Sequence, residues 1–544
     1  MGFRSMSPRH SSPAGRSLIA TSAALMLAAC TSQTDGPTQP KQAPLPKLSS
    51  AAPPARVQQT FESLQRAAFH DLAFAPDGDI VAVGSVARGI KLGEQTHRQR
   101  GSGDDILLAR FSPDGVVRWS HHFGGRATQR GDHITLLPDG DIAIAGPYAL
   151  VLEFDKNAEP VPYAGRFDLF LARFSPTGEF RWSKTFGGPL SEIAEGLVAR
   201  EDGSLVIGGW FSKTFALGGP PLHAVDQIDG FLAHFNGDGS HIRSMSFGGM
   251  GSQQLTALAQ HPSGDLILGG TFERHLDLKN ATVVTGGQAM APAPDSTVPA
   301  PKTGATTPAP DLAGPKPPPE TKPPVDTTTT GSNKPPPGTS LHTTGYPNLF
   351  VARISPEFEL RWNRSFGAAS HRRSLVGLET TEAGDIIVAG TFEHSLDLGH
   401  GDMAATGPRD AYVAALADDG TPAWQWSQGL EQISVVVEQL GTRPQGDIVI
   451  AGYAEAKEGA QASFPLLARI ARTGTTRWAL TPDLWPNELR ATSVGWSPTG
   501  ELVAATVVEQ VIEVPPGGNP APIPVLEHLR IRVLPADPTT LTRP

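Results

Sequence analysis

The sequence predicts an all-β fold, a seven-bladed β-propeller with four antiparallel strands per blade. Three observations predict it. A turn followed by an apolar run recurs seven times, with most recurrences 61–63 residues apart. A second motif of strand, turn and strand alternates with the first. The last unit lacks one strand, and a matching strand stands at the N-terminal end of the repeats.

The first motif reads PDGDIVAVG (76–84), PDGDIAIAG (138–146), EDGSLVIGG (201–209), PSGDLILGG (262–270), EAGDIIVAG (382–390), PQGDIVIAG (444–452) and PTGELVAAT (498–506). Each run is short, β-rich and bounded by Gly, Pro or Asp, so each is a strand behind a tight turn. The second motif reads LLARFSPDGVVRWSHHFGG (107–125), FLARFSPTGEFRWSKTFGG (170–188), FLAHFNGDGSHIRSMSFGG (231–249), FVARISPEFELRWNRSFGA (350–368), YVAALADDGTPAWQWSQG (412–429) and LLARIARTGTTRW (466–478). Its Asp-Gly and Thr-Gly steps suit hairpins, where glycine supplies a positive φ.

Spacing fixes the count. The turn glycines are Gly78, Gly140, Gly203, Gly264, Gly384, Gly446 and Gly500, with gaps of 62, 63, 61, 120, 62 and 54. From the alanine of each second motif to the next turn glycine the distance is 31 or 32 residues. The irregularity therefore falls between the first motif and the second. Each unit has four strands, named a (before the first turn), b (after it), c (the "LAR" strand) and d (the "RW" strand). The seventh ends at strand c, LRIRVLP (529–535), without a strand d. The segment 56–79 aligns with 118–141, so the N-terminal strand completes the last blade and closes the ring.

These motifs resemble the bacterial β-propeller-repeat (SBBP-like) family, often found on secreted or lipid-anchored proteins. The resemblance covers roughly 56–535 apart from one insert, and includes TFEHSLDLGHGDMAATGPRDAYVAAL (391–416). It implies a fold and no defined activity.

The N-terminus predicts an address. Arg4, Arg9 and Arg16 precede an apolar stretch from Leu18 to Ala29, too short for a typical spanning helix. It ends Leu27-Ala28-Ala29-Cys30, and Cys30 is the only cysteine. This resembles a bacterial lipobox, which implies cleavage before Cys30 and acylation (palmitate) of that residue. Thr31, rather than Asp, follows it, and in a two-membrane cell the resemblance then implies the outer membrane. Residues 1–29 are thus expected to be a lipoprotein signal peptide, 30–55 the lipidated Cys and a disordered tether, and 56–544 the propeller. As a flexible coil the tether would span about 25–30 Å. A Pro-rich insert at 287–345 is expected to be a disordered surface loop, since 291–340 holds 15 prolines and no aromatic residue.

Composition narrows the function. Hydrophobic residues make up 39% and charged residues 18%, which excludes a polytopic membrane protein. Net charge is −10 with pI about 5.9, against the basic footprint of a nucleic-acid binder. A single cysteine excludes an intrachain disulfide and a cysteine-based zinc site.

Two columns recur around strand c. Four residues before its alanine stand Asp105, Asp168, Asp229, Asn348, Asp410, Phe464 and Glu527; one residue after stand Arg110, Arg173, His234, Arg353, Ala415, Arg469 and Arg532. The acids are expected to accept backbone N–H bonds at the strand entry, and the bases to pair with neighbouring carboxylates. A carboxylate ring for Ca²⁺ is the alternative, without EF-hand spacing. Trp119, Trp182, Trp362 and Trp478, with Met245 and Trp426 near the same place, are expected to pack between blades.

The chain carries no G-x-S-x-G, H-E-x-x-H, P-loop or Rossmann motif. FSPDGVVRW (111–119) is similar to the Asp-box turn of sialidase-like propellers, but its Asp114 and Gly115 are adjacent, where that motif separates them. His121, His122, His275 and His394 stand as isolated histidines. No catalytic, cofactor or metal residue is therefore assigned, no cofactor is expected, and Cys30 is the one predicted site. The expectation is a monomeric, non-enzymatic binding or scaffold module on the outer membrane, periplasmic or surface-facing. It would be held to the membrane through lipid, and would bind an envelope protein or glycan through the face bearing the variable b–c and d–a loops. The alternatives are an outer-membrane-assembly scaffold, because the strand–turn–Trp pattern also resembles the quinoprotein-like propeller lipoprotein that helps insert barrels, and a glycan-active hydrolase or lyase.

Overall fold

Each repeat folds into one four-stranded antiparallel sheet in the order a–b–c–d. The computed structural model describes residues 57–154, 163–285, 341–343, 347–367, 371–443, 446–456, 463–479, 488–510 and 526–534. Blade 1 comprises Arg66–Phe74, Ile80–Ala87, Asp105–Phe111 and Val117–Phe123; blade 2 comprises His133–Leu136, Ile142–Tyr148, Asp168–Phe174 and Phe180–Phe186. Blade 3 comprises Glu192–Ala199, Leu205–Phe211, Asp229–Phe235 and His241–Gly248; blade 4 comprises Gln253–Gln260, Leu266–Phe272, Asn348–Ile354 and Leu360–Phe366. Blade 5 comprises Arg373–Thr380, Ile386–Phe392, Asp410–Leu416 and Pro422–Gln428; blade 6 comprises Ile433–Thr442, Ile448–Ala456, Ser463–Ile470 and Thr476–Ala479. Blade 7 takes Glu488–Trp496, Leu502–Gln510 and Leu526–Leu534, and its strand d is the N-terminal Val57–Phe61. That strand pairs with strand c from Val57↔Val533 to Phe61↔Leu529, so the chain ends close the ring. The fold is a seven-bladed β-propeller, and no helix occurs among the described residues.

Adjacent a strands touch around the whole ring, so strand a lines the axis and strand d lies outermost. The core is divided by junction. Seven apolar clusters each join two neighbouring blades, from Val81, Ile106 and Ile144 between blades 1 and 2 to Val503, Ile531 and Phe111 between blades 7 and 1. Strands b and c are buried along almost their whole length, which explains their continuous Val/Ile/Leu/Ala runs.

Two features go beyond the repeat. His275–Thr285, in the b–c segment of blade 4, adds a fifth strand to blade 3 by pairing with its strand d, Arg243↔Thr285 through Gly248↔Asp277. Leu341 and His342, the far end of the Pro-rich segment, pair with Leu276 and His275. The remainder of 287–345, apart from Thr343, lies outside the described residues, as do the signal peptide, Cys30 and the tether.

Candidate functional site: the axial channel and its two faces

The a–b and c–d turns share one face of the ring, and the basic column fastens that face. Arg110 donates from Nε to Asp79 (2.9 Å) and from Nη2 to Asp77 (2.8 Å), both in the a–b turn of its own blade. Its Nη1 reaches the Pro176 carbonyl of blade 2 (3.0 Å). Arg173 repeats this with Asp141 (2.8 Å), Asp139 and the Gly237 carbonyl (2.7 Å). Arg353 does so with Asp265 (2.7 Å), Ser263 (2.9 Å) and the Asp418 carbonyl (3.1 Å). The Trp column caps the same three carbonyls, through Trp119, Trp182 and Trp362 Nε1 at 3.3, 3.1 and 3.1 Å. Each Arg–Trp pair therefore locks one blade onto the next blade's c–d turn. Arg469 pairs with Asp447, whereas His234 meets Ser204 (2.8 Å). In blade 7 the register moves the column by one residue: Arg532 faces Ala504, the place of the strand-c alanine, so Val533 holds the basic place and Arg532 pairs instead with Glu488 at the other end of strand a. Where the column holds Ala415, Arg472 of blade 6 reaches back to Asp385 (2.6 Å).

The strand register corrects the Trp alignment. Ala415 faces Trp424, so Trp424 is the blade-5 member. Trp426 and Met245 stand two residues further along their strands, and Arg243 holds the blade-3 place.

The acidic column is structural. Asp105, Asp168, Asp229 and Asp410 are buried and accept backbone N–H bonds from the loop entering strand c: Arg100 to Asp105 (2.9 Å), Ala164 and Gly165 to Asp168 (2.6 and 3.0 Å), Val225 to Asp229 (2.9 Å), and Thr406 and Gly407 to Asp410 (2.7 and 2.9 Å). Asn348 instead accepts from Arg373 (3.0 Å), and Phe464 is half-buried. In blade 7 the register gives the place to His528 rather than Glu527, and His528 Nδ1 accepts from Ser63 N (3.1 Å). The column also explains the F-G-G motif. A Cβ on Gly124, Gly187, Gly248 or Gly429 would stand 2.0–2.3 Å from the carboxylate of Asp105, Asp168, Asp229 or Asp410.

The b–c segments, expected to be variable, begin with a repeat of their own. Ten residues after each of five turn glycines the backbone turns left-handed, at Arg88, Leu150, Lys213, Arg274 and His394 (φ 59–65°). Two and four residues later come buried or half-buried apolar side chains: Ile90 and Leu92, Leu152 and Phe154, Phe215 and Leu217, Leu276 and Leu278, Leu396 and Leu398. These pack into the inter-blade clusters, so the segments brace the perimeter before they vary. The i, i+2 alternation in IKL, LEF, FAL, LDL and LDL is the signal that sequence reasoning missed.

The mouth of the central channel is expected to belong to the functional face, but the residues that line the axis are the other missed feature. Eight residues before each turn glycine, strand a steps past its partner, placing His70, Asp132, Glu195, Thr256, Val376, Glu438 and Thr492 at equivalent points around the axis. Next to this ring stand Asp71, His133 and Glu379. Asp71 accepts from Ile134 N (3.0 Å), His133 Nε2 meets the Ala194 carbonyl (3.1 Å), and Gln439 donates to the His70 carbonyl (2.9 Å). Glu195 accepts from Trp210 Nε1 (3.0 Å). Burial inside the ring pushes Asp71 up to about 6 and Glu195 to about 7. Burial, with the Asp71 charge, pushes Glu379 to about 7. Burial lowers His70, so its imidazole is neutral near pH 7. Arg130 pairs with Asp132 at 2.9 Å and Arg490 approaches Glu438 at 3.8 Å. Carboxylates, imidazoles and guanidinium groups from several blades thus line one axis, which makes this lining a candidate site.

The histidines read as isolated have company. His121 lies 5.3 Å from the Trp119 ring, His122 lies 5.1 Å from His97, and His394 stacks on His371 (4.0 Å). Among the described residues no group of three or more His, Cys, Asp or Glu is placed to hold a metal ion.

No family model matches the chain, so membership of the bacterial β-propeller-repeat family is not shown. Among curated proteins, an uncharacterised WD repeat-containing protein of Acanthamoeba polyphaga mimivirus is 22% identical over 201 residues, 31% of this chain. The matched stretch is 14% of that relative's length. Among solved structures, a protein of unknown function from Bacteroides caccae is 10% identical with TM-score 0.34, covering 72% of this chain and 94% of that one. Sqt1 from Chaetomium thermophilum is 11% identical with TM-score 0.34, covering 85% and 87%. The polysaccharide lyase Uly1 is 9% identical with TM-score 0.37, covering 86% and 90%. At these values the likenesses carry no functional inference.

Proposed function

We propose that the chain is a lipid-anchored binding module of the bacterial outer membrane, which meets an envelope protein or glycan through its b–c/d–a face and the adjoining channel mouth. The observation that carries this is the division of labour between the two faces. The tight-turn face is occupied by the Arg–Asp–Trp clamps. The N-terminal strand also enters there, because Val57 pairs with Val533 at the c–d end of blade 7. An anchor at Cys30 would therefore join the ring at Val57, on the clamped face. Recognition surfaces tend to lie on loops carried by a rigid scaffold, and the b–c/d–a face holds them.

Replacing Cys30→Ala in the native host tests the anchor. The protein should move from the membrane to the soluble fraction, and retention in the membrane overturns the topology. Cross-linking in intact cells, with the full chain and with one lacking 287–345, tests the binding reading. A specific partner supports it, and loss of that partner on deletion would assign the insert as a docking arm.

One observation favours a second reading. Glu195, Glu379 and Asp71 hold carboxyl groups whose pKa values are raised towards neutrality in one channel, as general acids of glycan-active enzymes require. Polysaccharide turnover that is lost in both Glu195→Gln and Glu379→Gln would establish a hydrolase or lyase.

A further inference from the structure

We propose that one arc of the b–c/d–a face, over blades 2 and 3, docks a protein segment of apolar and acidic character. The proposal rests on the binding-module reading and narrows it to a sector and a partner chemistry.

A seven-fold repeat provides its own control, since a surface needed only for solubility should look alike in every blade. The exposed apolar residues do not. Leu150, Tyr163, Phe167, Leu190, Val225 and Met250, between 37% and 73% exposed, all lie on the b–c/d–a side of blades 2 and 3. Among the described residues of blades 4 to 7, the exposed large apolar side chains are Leu64, at the junction of blades 7 and 1, and Val283, in the b–c segment of blade 4 where it pairs with strand d of blade 3.

The arc is continuous through backbone contacts. Arg166 N donates to the Leu190 carbonyl (2.5 Å), and Phe167 bridges Ser191. Gly188 abuts the Thr214 carbonyl, and Ala224 N donates to the Lys213 carbonyl (2.7 Å). Gly251 N donates to Asp226 (2.9 Å), which ties Met250 to the Val225 loop.

The segment Tyr163–Phe167 is also preorganised. The buried Asp168 carboxylate takes the N–H groups of Ala164 and Gly165, while Tyr163, Arg166 and Phe167 stay exposed. The places of Tyr163 and Phe167 are taken by Arg100 and Asp104 in blade 1, Ala224 and Ile228 in blade 3, and Ala405 and Arg409 in blade 5. Blade 2 alone among these carries aromatic residues, so the repeat does not need them.

Charge selects the partner. Arg126, Arg166 and Lys213 are exposed along the arc and have no carboxylate partner among the described residues, in a chain of net charge −10. Exposed Tyr, Phe, Met and Arg with aliphatic neighbours form the composition of a protein-interface centre. A lipid or glycan surface would make less use of Leu150, Leu190 and Val225. The complement is a polypeptide whose apolar side chains are flanked by Asp or Glu.

The test places photoreactive p-benzoylphenylalanine at Phe167, and separately at Arg409 and Leu64, in the full chain in its native cells. A discrete protein adduct should form from position 167 and not from 409. The protein identified is then purified and titrated against the mature lipoprotein in detergent. Affinity should fall with rising salt, and by about tenfold or more in the Arg126→Glu/Arg166→Glu variant. Both arginines are exposed, so this variant keeps the fold.

Adducts from 409 or 64 but not from 167 overturn the arc and leave the binding module standing. No adduct from any of the three positions overturns both. A lipid or polysaccharide adduct, or a partner indifferent to the two arginines, overturns the stated chemistry.

Discussion

Phe61→Ala tests whether the N-terminal strand is an integral part of the last blade. Phe61 is 7% exposed and lies in the cluster that joins blades 7 and 1, with Leu529, Ile531 and Val533 on one side and Phe69 and Phe111 on the other. Its ring centroid is 5.6 Å from that of Phe111. Burying an aromatic side chain removes roughly 150–200 Å² from water, which at about 25 cal/mol per Å² is about 4 kcal/mol, less the share that alanine keeps. The lost ring pair adds about 0.5–1 kcal/mol. The strand is outermost, so the cavity can partly collapse, and the expected cost is about 3 kcal/mol. Gln58→Ala, at an exposed position of the same strand, should cost less than about 0.5 kcal/mol. Urea unfolding followed by tryptophan fluorescence reads the difference. Hydrogen exchange of the amides of 529–533 locates it, since their protection should fall by the same free energy. A loss under about 1 kcal/mol, with unchanged exchange at 529–533, would refute the closure of the ring through Val57–Phe61.

Three further outcomes follow from the geometry. Gly187→Ala sets a Cβ 2.3 Å from the Asp168 carboxylate and should destabilise by about 2 kcal/mol or more; in a double-mutant cycle with Asp168→Ala the costs should be strongly non-additive. Glu195, Glu379 and Asp71 have pKa values raised in the fold, so the native state binds more protons than the unfolded chain above about pH 4; stability should fall as pH rises to about 7 and then level off, and Glu379→Gln should flatten that slope in urea titrations at pH 5, 6, 7 and 8. Arg274→Gly relieves a left-handed backbone (φ 60°) and should stabilise by about 0.5–1 kcal/mol in thermal or urea unfolding; a loss would mean that the Arg274 side chain holds the fold.

The fold was legible because its signals are residue types at fixed spacing. Turn glycines, the Arg column and F-G-G each answer one local demand that recurs in most blades: a positive φ at Gly140, a neighbouring carboxylate for Arg173, room for Asp168 beside Gly187. The channel was illegible for the opposite reason. A β-bulge is a backbone event that accepts His70, Asp132, Val376 or Thr492 alike, so the spacing recurs while the chemistry does not. The same holds for the left-handed column, whose Arg88, Leu150 and His394 share only a conformation. Varying length makes the b–c segments read as loops, although Ile90-Lys91-Leu92 and Leu396-Asp397-Leu398 alternate as strands do. The Trp column slipped by two residues in blade 5 because Trp424 and Trp426 both fit the pattern, and only pairing with Ala415 decides between them.

Reading the blades against one another separates what the fold needs from what it merely carries. At the position of Glu379, five residues before the turn glycine, the other blades hold Ala73, Thr135, Val198, Ala259, Gly441 and Gly495. Small or apolar side chains therefore satisfy the fold there. A carboxylate whose ionisation burial opposes works against stability at neutral pH, so its presence has to be explained by something other than folding. Tyr163 and Phe167 meet the same criterion on the surface, since Ala405 and Arg409 fill their places without an aromatic ring. The Arg–Trp clamps fail it, because they recur wherever one blade must hold the next. Function in this ring is therefore to be sought where the repeat is broken, at the charged lining of the channel and at the apolar arc of blades 2 and 3.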